Sequence, residues 1–144
     1  MRKLALLFLT LLVTPISHAA DIAKVTDAWV RLPPPGAQIV AAYLTIETKQ
    51  TLSLSHVTSP IAEAVEIHSM SMQNGMMQMR QIPALELEAG KPAKLEPGGL
   101  HLMLINPKKP LKEGDTVSLV LHFKQGKRVA GAMGVQAIVK APAP

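Results

Sequence analysis

The chain has 144 residues, a formal net charge of +5, 48% hydrophobic residues and no cysteine. That length fits one domain, and the missing thiols exclude cysteine catalysis, zinc–cysteine sites, disulfide bonds and a thiolate-dependent blue-copper electron-transfer centre. The four aromatic residues, Phe8, Trp29, Tyr43 and Phe123, are not interleaved with the basic ones, so no nucleic-acid interface is expected.

The first segment, residues 1–20, has the three parts of a secretory signal peptide. Arg2 and Lys3 begin it, Leu4 to Val13 is apolar, and Ser17-His18-Ala19-Ala20 ends it in small residues. The apolar run of about ten residues is half of what a membrane span needs, so cleavage, export and no stable membrane insertion are expected. Removing Arg2 and Lys3 lowers the formal charge from +5 to +3. The domain is expected over residues 21–140, with a flexible Ala-Pro tail at 141–144.

The body reads as strands: short runs of Val, Ile, Leu and Thr between Pro, Gly and Asn clusters. They are expected at Ile22–Arg31, Ile39–Thr48, Leu52–Val57, Ala62–Met72, Met76–Ile82, Leu100–Ile105, Thr116–Phe123 and Val129–Val139. Pro33-Pro34-Pro35-Gly36 and Glu96-Pro97-Gly98-Gly99 read as loops. Many short strands indicate an all-β single domain, an antiparallel sandwich or barrel. Lys108, Lys109 and Lys112 near one loop, and Lys124, Lys127 and Arg128 near another, read as solvated turn residues, with an acidic docking partner as the alternative.

Residues 68–80, HSMSMQNGMMQMR, hold five of the chain's eight methionines around Asn74-Gly75. Asn-Gly between two strand-like runs predicts a type I′ hairpin. In that register Met72 faces Met77, Met70 faces Met79 and His68 faces Gln81. Alternation then gathers His68, Met70, Met72, Met77, Met79 and Gln81 on one face. The other face carries Ser69, Ser71 and Met76 near the tip, with Val65, Ile67 and Ile82 as core at the base. Met76 is expected to pack.

In Leu100-His101-Leu102-Met103-Leu104 the leucines alternate with His101 and Met103, which places those two together on the face away from the core. His56 and His122 read as surface or hydrogen-bonded structural histidines, and Met133 as core or loop packing.

Thioethers are soft neutral ligands and imidazole is borderline, a combination suited to Cu(I) and poorly suited to zinc. In an oxidising compartment methionine also avoids the disulfides that thiolates would form. Neutral donors leave the cation's charge uncompensated, which favours Cu(I) over Cu(II) and keeps the ion transferable.

The spacing His68-x10-Met79-x21-His101-x-Met103 resembles the signature of the periplasmic copper chaperones called PCu(A)C. The segments Ala28-Trp29-Val30-Arg31, Ala41-Ala42-Tyr43-Leu44-Thr45-Ile46, Glu66-Ile67-His68, Pro97 to Leu104 and Leu111-Lys112-Glu113-Gly114-Asp115 resemble that family too. The resemblance implies a cupredoxin-like Greek-key β-barrel that binds one Cu(I) through His68, Met79, His101 and Met103. It also implies delivery of copper to the CuA centre of cytochrome c oxidase subunit II, in company with Sco-type proteins. Some family members carry a His- and Met-rich extension at the C-terminus; this chain has neither residue after Met133.

Met70, Met72 and Met77 are left to shield the ion, substitute as ligands or form a docking rim, and shielding is the preferred reading. No nucleophile–base pair, phosphate loop or carboxylate pair points to an enzyme. Two other functions fit the residues: copper sequestration for tolerance, and a β-sandwich interaction module whose methionines bind protein.

Overall fold

Strict alternation in the strands builds the fold. In Thr116–Gln125, Val117, Leu119, Leu121 and Phe123 are buried while Ser118, Val120, His122 and Lys124 turn outward. Leu102 and Leu104, and Val40, Ala42, Leu44 and Ile46, point into the core in the same way on their own strands, with Tyr43 and His101 buried on the other face. The computed structural model describes residues 22–141, so the leader and the last three tail residues lie outside it.

Ten strands follow in chain order: β1 (Lys24–Arg31), β2 (Ile39–Glu47), β3 (Leu52–Thr58), β4 (Ala62–Gln73), β5 (Met76–Ile82), β6 (Leu85–Leu87), β7 (Ala93–Leu95), β8 (His101–Pro107), β9 (Thr116–Gln125) and β10 (Arg128–Lys140). Seven of them, in the order β4-β8-β2-β1-β10-β9-β3, close into a barrel where Val57 of β3 pairs with Val65 of β4. β1 and β10 are parallel; the other neighbours are antiparallel. Pairings between strands distant in sequence, β1 with β10, β2 with β8 and β3 with β9, are the crossovers of the cupredoxin-like Greek-key arrangement. The expected all-β single barrel is observed. Two three-residue strands, β6 and β7, were not foreseen; they pair with β3 and β2 respectively.

β4 does two jobs. Its first half, Ala62 to His68, is barrel wall and pairs with β8. Its second half pairs with β5 from Ile67↔Ile82 to Gln73↔Met76 and leaves the barrel as a two-stranded ribbon. Asn74 and Gly75 turn that ribbon with φ of 50° and 76°, the two positive values that a type I′ turn requires. The Glu96–Leu100 loop closes against its base, where Gly99 carbonyl accepts the Met70 N–H at 3.2 Å.

Candidate metal centre

The four signature residues come to one face of three neighbouring strands. β4 supplies His68, whose partners in register are Gln81 on β5 and His101 on β8. Met79 on β5 pairs with Met70, two rungs toward the ribbon tip. Met103 on β8 pairs with Glu66 and with Ala41 of β2, two rungs toward the barrel. The hairpin register is the one the Asn-Gly turn predicts. The His68 and His101 ring centroids are 5.6 Å apart at an interplanar angle of 49°.

Hydrogen bonds fix which nitrogen each imidazole presents. His101 Nδ1 lies 3.0 Å from the Gly99 carbonyl oxygen, which can only accept, so Nδ1 carries the proton and the Nε2 lone pair is free. His68 Nε2 lies 2.7 Å from Glu66 Oε2. With that nitrogen donating, the lone pair is on Nδ1, which is buried and has no hydrogen-bond partner. A buried, unpaired acceptor is costly and asks for an occupant.

His101 is 5% exposed, which corrects the picture of a histidine simply turned away from the core. The Glu96–Leu100 turn lies beside it, held by bonds from Glu96 N–H to the Leu100 carbonyl and from Gly99 N–H to the Glu96 carbonyl. Met103 is half-buried, while Met79 keeps half of its surface in solvent, so the site is closed from the barrel side and open from the ribbon side. Among the described residues no three His, Cys, Asp or Glu side chains gather into a metal-holding group. What this face offers is two imidazoles and thioethers, a soft donor set. A groove of about 490 Å³ lies between the Pro33–Gly36 loop and Asn106–Leu111, at the end of β8 remote from His101.

A family model for LpqE-like lipoproteins matches residues 23–137. The chain belongs to that family. It is 30% identical over 120 residues to a Leifsonia xyli subsp. xyli protein named as a lipoprotein, Lxx21020, covering 81% of this chain and 71% of the relative. Its fold matches the Cu(I) form of DR1885 from Deinococcus radiodurans with a TM-score of 0.62 at 30% identity, over 78% of this chain and 74% of that one. The copper-bound PCuAC domain of PmoF2 matches with a TM-score of 0.69 at 23% identity, over 87% and 97%. The PCu(A)C resemblance seen in the sequence thus holds for family and fold.

In this LpqE-like chain the remaining candidates sort by position. Met70, Met72 and Met77 lie on the His68–Met79 face as expected from the register. Met76 corrects its expectation: it lies on the opposite face but is 63% exposed, because the ribbon leaves the barrel and no described residue covers that side. Of the proposed hairpin core, Ile67 is fully buried, whereas Val65 and Ile82 are half-buried. Met133 packs against the core beside Ile22.

His56 and His122 pair across β3 and β9 with rings stacked at 4.0 Å, and each reaches a neighbouring hydroxyl, Ser55 and Thr58 respectively. Partial desolvation, then the charges of His122 and Lys124, hold His56 below the ordinary histidine value. Two functional groups escaped the sequence reading, Glu66 and the Gly99 carbonyl. Glu66 carried a usable signal, since a carboxylate two residues before a strand histidine shares its face.

Proposed function

We propose that this chain is an exported Cu(I) carrier, not an enzyme. It holds one ion through His68 Nδ1, Met79, His101 Nε2 and Met103, and passes it to the CuA site of cytochrome c oxidase subunit II, alongside Sco-type proteins. The observation that carries the reading is the buried, partnerless Nδ1 of His68, on a ring whose centroid lies 5.6 Å from that of His101, whose Nε2 lone pair is free. Copper in the Cu(I) form of DR1885 and in the PmoF2 domain supports the choice of metal. The lipoprotein names of the family and its relative support export, after removal of residues 1–20, to the periplasm.

The chemistry follows from the donor set. Copper is cargo here. Two imidazoles with fixed tautomers and two thioethers bring no negative charge to the ion, which favours Cu(I). Met79, the most exposed of the four, is the donor an incoming ligand displaces first. Acceptor thiolates bind Cu(I) more tightly than thioethers, so the ion moves downhill without a change of oxidation state.

The test is an anaerobic Cu(I) titration against a coloured chelator, with Met79→Leu and His101→Ala in parallel. One tight equivalent that weakens in both variants supports the site; binding indifferent to both changes refutes it. Transfer of that equivalent to a soluble oxidase subunit II fragment then separates delivery from sequestration for tolerance.

A further inference from the structure

The ribbon has an arrangement that a four-ligand site does not need. Its rungs beyond the barrel are Ser69↔Arg80, Met70↔Met79, Ser71↔Gln78, Met72↔Met77 and Gln73↔Met76. Paired residues share a face, so one side of the ribbon is all thioether, Met70, Met72, Met77 and Met79, and the other is Ser69, Ser71, Gln73, Gln78 and Arg80 with a single methionine, Met76. Toward the tip no described residue covers either side: Met72 is 64% exposed and Met77 48%, while Met70 nearer the base is half-buried. Segregating apolar side chains on one face normally serves to bury them. Here the segregation is present without burial, so core packing does not account for it. Nor does β-propensity, which favours branched and aromatic residues in an exposed ribbon.

Directly opposed side chains on antiparallel strands have Cβ atoms about 4.5–5.5 Å apart, and diagonal ones about 7–8 Å. Methionine has three rotatable bonds, so thioethers at those spacings can converge on one ion. Met72 and Met77 form one rung, and Met70 is the diagonal neighbour of Met77 on the same face. Met70 also stands on the strand between His68 and Met72, so this group adjoins the inner centre.

We propose that Met70, Met72 and Met77 form a second, outer Cu(I) site, made of thioethers alone, that lies between the His68–Met79–His101–Met103 centre and the ribbon tip. The inference rests on the reading that this face carries Cu(I). The outer site binds more weakly than the inner one because it lacks imidazole. Its place at the open end makes it a loading and unloading station through which the ion passes as Cu(I).

The experiment is an anaerobic titration with chelator-buffered Cu(I), followed through the methyl resonances of ¹³C-labelled methionine. The wild-type protein is compared with His101→Ala and with the triple variant Met70→Leu/Met72→Leu/Met77→Leu, nearly volume-conserving at half-buried Met70 and exposed at Met72 and Met77, so that folding is left intact. The wild type is expected to take two equivalents. The first shifts Met79 and Met103; the second, about tenfold or more weaker for want of imidazole, shifts Met70, Met72 and Met77. The triple variant is expected to keep the first equivalent and lose the second.

Saturation at one equivalent on Met79 and Met103 would overturn the proposal, as would a second equivalent that survives in the triple variant. If binding shifts only Met70, Met72 and Met77 and ignores His101→Ala, the outer site stands and the four-ligand reading fails.

Discussion

Glu66 and His68, two residues apart on one face of β4, are joined by a 2.7 Å hydrogen bond that commits Nε2 of the imidazole and leaves the lone pair on the buried Nδ1. Glu66 is therefore a positioning residue for a ligand. Outer partners of metal-bound histidines are typically worth 10–100-fold in affinity. Glu66→Ala is expected to weaken Cu(I) binding by about that factor, and Glu66→Gln, whose amide oxygen still accepts, by less. Chelator competition measures both. Equal affinity for wild type and Glu66→Ala would mean the bond does not orient the ring.

The Gly98–Gly99 turn holds the other imidazole. Gly98 has φ of 85°, and a Cβ there would meet no atom within 4 Å, so Gly98→Ala meets backbone strain and no clash. An L-residue in that region costs roughly 1–2 kcal/mol, which urea unfolding is expected to show. Because the Gly99 carbonyl accepts from both Met70 N–H and His101 Nδ1, Cu(I) affinity should fall in the same variant. A loss of stability with unchanged affinity would separate the turn from the site.

β8 has a structural face and a chemical face, and substitutions should separate them. Leu102 is fully buried, so Leu102→Ala is expected to cost about 2–5 kcal/mol. Its neighbour Met103 points the other way, and Met103→Leu, nearly volume-conserving, should cost less than about 1.5 kcal/mol. The second change is nevertheless expected to weaken Cu(I) binding strongly, the first only through unfolding. Denaturation curves and metal titrations on both variants decide the point.

The stacked His56–His122 pair should make stability sensitive to acid. His56 has a folded pKa below its ordinary value of 6.5, so the folded state binds this proton less readily than the unfolded chain. Stability tied to His56 is complete above about pH 6.5 and is lost as the pH falls toward the depressed folded value. Thermal melts at neutral and mildly acidic pH should show a smaller drop for His56→Gln than for wild type. In an NMR titration, His122→Ala is expected to move the His56 pKa back up. A His56 midpoint unmoved by that change would show that the stack does not set it.

Much of the site was legible because turn chemistry fixes register. Asn74-Gly75 alone set the pairing of Met70 with Met79 and Met72 with Met77, and leucine alternation put His101 beside Met103. Uniting the two pairs needed the contact of β4 with β8, which no local pattern contains. β6 and β7 are too short for a periodic signal. Met76 was misjudged because the sequence does not say where β4 leaves the barrel wall. The His56–His122 stack was hidden for a similar reason, since its register depends on β3 meeting β9.

The parallel pairing of β1 with β10 sets an order of assembly. The barrel cannot close until its last strand has been made, and such distant pairings form slowly. The β4–β5 hairpin needs only its own turn, so His68 and Met79 can meet early. His101 and Met103 join them only when β8 docks. Half of the ligand set is thus local and half depends on the tertiary fold, so four-donor capture of an ion is reserved for chains that have docked β8 against β4.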